Sequence, residues 1–220
     1  MSETEQKAPR GRPKTFDRDA VTAIAMQAYW QEGQSEVSLN EVCRRAKVSK
    51  PTLYKEFGSE DGLKQAVLSE YHSMTLAPLF ELLEQDQPFD KALDALAEYI
   101  LRDHHEHGMP NGCLFVDMCQ CRDQLGELAG RQVDAFKVLS LTAYAAWIDR
   151  AKAKGQFTHA VASRTAAIYI EAQIASAMNL QRQGATADEV SAMFRLALSV
   201  FRPEAAIHKI NSMVCFVRDL

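Results

Sequence analysis

The stretch SLNEVCRRAKVSKPTLYKEFGSEDGL, residues 38–63, constrains the fold most, because three helix starts crowd into it. Ser38 followed by Glu41 has the form of a capping box, in which the hydroxyl takes one free amide and the carboxylate another. Leu39, Val42, Cys43 and Ala46 then recur at i, i+3, i+4 and i+7, a single buried helix face. Only Lys47 and Val48 separate that helix from the next cap, Ser49. Pro51 has no amide hydrogen and is tolerated only in a first turn, so the next helix starts near Lys50. Gly58 ends it near Phe57, and Ser59 caps a fourth helix. Two short helices joined by a tight turn, between longer ones, describe a helix-turn-helix.

Helical periodicity continues on both sides. Asp17 caps a first helix with Val21, Ile24, Ala25 and Ala28 on its apolar face, ending near Gly33. The fourth helix carries Leu63, Ala66, Val67 and Met74. Beyond Pro88 come Leu93, Leu96, Ala97 and Ile100, then a segment near 113–122 and long runs over about 125–154, 160–183 and 186–201, with Gly155 and Gly184 as caps. No convincing alternation of period two interrupts them. The expectation is an all-α protein of about nine helices: a three-helix helix-turn-helix domain over 16–62 and a helical body over 63–201. Residues 1–15, polar and holding Pro9 and Pro13, read as a flexible basic arm, and 202–220 as an extension without a clear assignment.

Charge is unevenly distributed. Residues 7–55 carry ten Lys or Arg against five Asp or Glu, whereas 56–220 carry fifteen against twenty-two. A basic quarter ahead of an acidic body suits a nucleic-acid reader on a globular support. No run approaches the ~20 apolar residues of a membrane span, and the polar start has no signal-peptide core, so no membrane partner and a cytoplasmic location are expected. The five cysteines, 43, 113, 119, 121 and 215, fit no disulfide framework.

A recognition helix enters the major groove by its N-terminal end while its back packs on its own domain. Here the back is Leu53 and Phe57; the front is Lys50, Thr52, Tyr54 and Lys55, with Lys47, Ser49 and Arg44 or Arg45 nearby. Residues 38–68, with Val48-Ser49-Lys50, Thr52-Leu53-Tyr54 and Phe57, resemble the DNA-binding signature of the TetR family of bacterial transcriptional regulators. The resemblance implies a homodimer that binds a near-palindromic double-stranded operator and represses until a small ligand releases it. It implies phosphate contacts for Ser38, Tyr54, Ser59 and Lys64, and base contacts for Thr52 and Lys55. The chain departs from the family at Glu60, where relatives commonly carry a lysine. Upstream, Arg10-Gly11-Arg12-Pro13 matches the core of an AT-hook. Placed just before the first helix, Arg10, Arg12 and Lys14 read as an arm for the minor groove. An architectural minor-groove protein is the alternative of a different class.

The resemblance makes 63–201 the ligand-binding and dimerisation domain and places the dimer interface in its Ala-rich runs near the C-terminus, as a two-chain four-helix bundle. Ala166, Ala167, Ala172, Ala175 and Ala177 would form one seam, and Val190, Met193, Phe194, Ala197 and Phe201 the second, with intrachain core as the alternative. An apolar or aromatic effector would suit a pocket lined by Phe115, Met118, Phe136, Tyr144, Trp147, Tyr169 or Met178. The cluster HHEHGMPNGCLFVDMCQC, 104–121, leaves three readings open. They are a redox or electrophile sensor at Cys113 or Cys119, a metal site drawing on His104, His107, Cys113, Cys119 or Cys121, and helix-end histidines with core cysteines. No cofactor is expected. Catalysis is not expected either: there is no glycine-rich phosphate loop, no Gly-x-Ser-x-Gly and no His-Glu-x-x-His.

Overall fold

The computed structural model describes residues 16–103, 108–157 and 159–202. The expected arm, with Arg10, Arg12 and Lys14, the histidines His104 and His107, and all of the expected extension beyond residue 202 lie outside the described residues. The helices are α1 (Arg18–Glu32), α2 (Leu39–Ala46), α3 (Lys50–Phe57), α4 (Glu60–Tyr71), α5 (Ala77–Glu84), α6 (Phe89–Leu101), α7 (Leu114–Gln120), α8 (Glu127–Ala153), α9 (Ser163–Arg182) and α10 (Ala187–Ser199). A π turn, His72–Leu76, joins α4 to α5 in one continuous rod, so the described residues form nine helical rods and no strand.

The caps explain where the first four helices start. Asp17, Ser38, Ser49 and Ser59 each accept, through a side-chain oxygen, the amide three residues on. The turn between α2 and α3 closes on Lys47, which sits in the left-handed region at φ 55, while the Val48 amide donates to the Cys43 carbonyl at 3.0 Å. Among the described residues it is the sole non-glycine with positive φ. The left-handed residue reverses the chain at once, which is how two residues suffice for the turn.

Two local expectations are corrected. Glu41 does not complete a capping box. Its carboxylate instead accepts from the Arg44 Nε at 2.8 Å and from the Arg45 Nε at 2.6 Å, because two guanidinium groups one turn on compete for it. The reciprocal box occurs at Thr186 and Glu189, at the start of α10. Met74 is 38% exposed rather than on the buried face. The π turn adds a residue to the helical turn there and rotates its side chains off the register of Leu63 and Val67.

Around the recognition unit, Val21, Ala25, Tyr29, Leu39, Val42, Leu53, Leu63 and Val67 are buried together. That core is continuous with the body's. Trp30 at the end of α1 packs edge-on against Tyr71, centroids 4.9 Å apart, and donates to the Gly112 carbonyl at 3.1 Å. Arg182 of α9 reaches back to the Trp30 carbonyl at 3.0 Å and pairs with Asp117 at 3.2 Å. The body grips the base of the helix-turn-helix unit through polar contacts as well as packing.

The seam expected between two chains is partly intrachain core. Ala166, Ala167, Ala177, Val190, Phe194 and Phe201 are buried within one chain, because α10 packs against α9 and α6 of its own chain. The large apolar side chains left exposed on these helices are Ile168 (48%) and Leu196 (59%), with Val200 at the C-cap of α10 (47%), and the expected seam residue Ala172 is exposed as well.

Candidate DNA interface and interior cavity

Burial divides α3 cleanly. Leu53 and Phe57 face inward, and Lys50, Tyr54 and Lys55 face solvent, with Thr52 half-buried. Lys47, in the turn, is also exposed. No ion pair engages Lys47, Lys50 or Lys55 among the described residues, so three cations, in the turn before α3, at its first residue and in its last turn, stand without an acidic partner. Such groups can neutralise phosphates without first breaking a bond within the protein. Ser49 accepts the Thr52 amide and meets the Thr52 hydroxyl at 2.8 Å, which fixes the first turn. Arg18 supports the far end: its guanidinium lies 4.2 Å above the Phe57 ring and donates to the Glu56 carbonyl.

The remaining basic residues are held within the protein. Arg45 donates to Glu32 at 3.0 Å and to Glu41. The guanidinium groups of Arg44 and Arg45 hold the Glu41 carboxyl well below the usual carboxylate range, down to about 2. Lys64 pairs with Glu60 at 3.2 Å, its side chain only 12% exposed and its ammonium 5.9 Å from the Tyr29 ring centre. Ser38 lies exposed and Ser59 half-exposed, each serving as a helix cap.

Against this geometry, residues 21–67 match the family model of bacterial regulatory proteins, tetR family. That segment carries a DNA-binding domain of the TetR type. Two curated relatives from Escherichia coli align with the chain. The HTH-type transcriptional repressor ComR is 34% identical over 114 residues, covering 51% of this chain and 54% of ComR. The HTH-type transcriptional repressor BdcR is 29% identical over 123 residues, covering 56% and 62%. The chain thus matches little more than half the length of these relatives. Among solved TetR-like folds, E. coli NemR in its reduced form superposes with a TM-score of 0.71 at 18% identity, covering 84% of this chain and 95% of that one. A cysteine mutant of the TetR family regulator CifR, complexed with 26bp double-strand operator DNA, gives 0.69 at 21% identity, covering 87% and 100%.

Behind the TetR-type DNA-reading domain, the body encloses a cavity of about 360 Å³. Phe115, Tyr144 and Met178 line it. The other expected lining residues do not, each having found a partner elsewhere. Met118 is fully buried, Phe136 stacks on His72 at 4.4 Å, Trp147 packs on Phe89 at 5.0 Å, and the Tyr169 hydroxyl donates to the Ala197 carbonyl at 3.0 Å. Tyr71, Thr75, Arg102, Lys137 and Glu171 line the wall without having been anticipated. For Lys137 and Glu171 the sequence carried no distinguishing signal, since α8 and α9 hold other charged residues that do not line the cavity.

Cys113 and Cys119 also line this cavity. The Tyr71 hydroxyl donates to the Cys113 sulfur at 3.1 Å. Burial pushes the Cys113 thiol up and the Cys119 thiol up to about 12. Both stay protonated at neutral pH, the opposite of a readily oxidised thiolate. Among the described residues no three His, Cys, Asp or Glu side chains cluster as metal ligands, and no helix is long and apolar enough to cross a membrane.

One link joins the two regions. The Asp61 carboxylate, in the first turn of α4, accepts the Leu128 amide at 2.7 Å and the Ala129 amide at 3.2 Å. It thereby caps α8, whose Lys137, Ser140 and Tyr144 line the cavity. The carboxylate fits because residue 126 is glycine; a Cβ there would overlap it.

Proposed function

We propose that the chain is a sequence-specific transcriptional repressor that binds a palindromic double-stranded operator as a homodimer and is released when a small apolar effector enters the cavity. The carrying observation is the unpaired cationic front of α3, Lys47, Lys50 and Lys55 beside exposed Tyr54, on an apolar back. The repressor names of ComR and BdcR and the operator bound by CifR support this reading. Exposed Ile168, Leu196 and Val200 supply an apolar face for a second copy, which would set two recognition helices about one DNA turn apart, ~34–36 Å. Ligand release is favoured over thiol oxidation because burial keeps Cys113 and Cys119 protonated.

The test is selection of bound sites from random DNA, then gel-shift and footprinting on the winner. Tyr54→Ala with Lys55→Ala abolishes the shift while the circular dichroism spectrum is unchanged. Removing residues 1–14, with Arg10, Arg12 and Lys14, weakens binding and relaxes preference for A·T-rich flanks but leaves the central specificity intact. Normal binding by the double variant would refute the assignment of α3, and diffuse protection of any A·T tract would favour an architectural protein.

A further inference from the structure

The cavity's apolar wall, with Phe115, Tyr144 and Met178, is interrupted by charge in a particular way. Arg102, at the C-cap of α6, places its guanidinium 4.2 Å from the Tyr99 ring centre, and the Tyr99 hydroxyl is anchored on the Thr75 carbonyl at 2.7 Å. The Arg102 Nε is buried and has no hydrogen-bond partner among the described residues. Lys137 is a second cation on the lining, also outside any ion pair there. Glu171 is the one acidic side chain of the lining, and burial raises it toward its neutral form.

We infer that the effector is an apolar organic acid, its anionic group received by Arg102 and its body lying against the aromatic and aliphatic wall. This rests on the reading of the cavity as the effector site. A carboxylate would satisfy the orphaned donor with a charge-assisted bond, in a site where a fixed ring already orients the guanidinium. A neutral isostere would recover less of that interaction, and an amine would meet two cations. The cavity volume falls in the range of small-molecule sites, roughly 300–1,000 Å³, and its mostly apolar lining suits a hydrophobic body.

The experiment compares matched carboxylates, carboxamides and amines on phenyl, naphthyl and decyl bodies, by titration calorimetry and operator release, using the full chain. The carboxylate of at least one body is expected to bind about tenfold tighter than its amide. Arg102→Gln removes that preference with little change in Tm, Arg102→Lys keeps part of it, and Ala175→Trp blocks all binding by filling the cavity, which Ala175 of α9 lines rather than joining the expected seam. Amides or amines binding as tightly as acids, or a preference that survives in Arg102→Gln, overturns the anion assignment and leaves the cavity as the effector site. Failure of every series to bind, or binding insensitive to Ala175→Trp, overturns both.

Discussion

Glu60 and Lys64 show how one substitution can change the role of a second residue. In the TetR pattern the position after Ser59 commonly brings a lysine to the phosphates; here it brings a carboxylate that holds Lys64 against the domain. A lysine so held is withdrawn from the phosphates, which puts the expected cost of the departure on DNA binding. Replacing Glu60 by lysine adds one cation and frees another. The expected result is tighter operator binding and a log-log salt dependence steeper by about 0.9 for each phosphate newly neutralised, measured by fluorescence anisotropy across salt concentrations. An unchanged slope would mean that neither lysine reaches the backbone.

At the scale of helices, the geometry of α3 and α4 depends on a close approach. Gly62 lies in the first turn of α4, and a Cβ on it would overlap the Phe57 carbonyl oxygen at the end of α3. Gly62→Ala forces the two helices apart and tilts Lys50 and Tyr54 from their bearing on DNA. A loss of roughly 1–3 kcal/mol by chemical denaturation, with a larger proportional loss of operator affinity, is expected. Much of this level was legible in the sequence, because caps act locally: Ser38, Ser49, Pro51 and Ser59 fix helix starts without help from the rest of the chain. Two features escaped for equally local reasons. A lysine gives no outward sign that it will adopt the left-handed turn of residue 47, and nothing in HSMTL announces a π turn.

Across the whole molecule, periodicity identifies the buried faces but not which partner buries them. Phe194 and Ala167 read equally well as dimer seam or as core, and tertiary packing decided for core. Phe136, Trp147 and Tyr169 read as pocket walls for the same reason, since an aromatic on an inward face looks the same whether it meets a void or another ring. The apolar residues that stayed outside then define the expected self-association face. Leu196→Asp, at an exposed position of α10, is expected to convert the proposed dimer to monomer by sedimentation and to weaken operator binding while leaving helicity unchanged; a persistent dimer would place the interface elsewhere.

The Asp61 carboxylate spans the two working parts of the chain, since it sits in α4 beside the DNA-reading unit and holds the start of the helix that walls the cavity. A coupling free energy between two ligands is reciprocal: under the proposed function, operator DNA weakens effector binding by the same factor by which the effector weakens DNA binding. Asp61→Ala should shrink that shared factor toward one while each ligand alone still binds. Two titrations of the effector, with and without operator, would measure it.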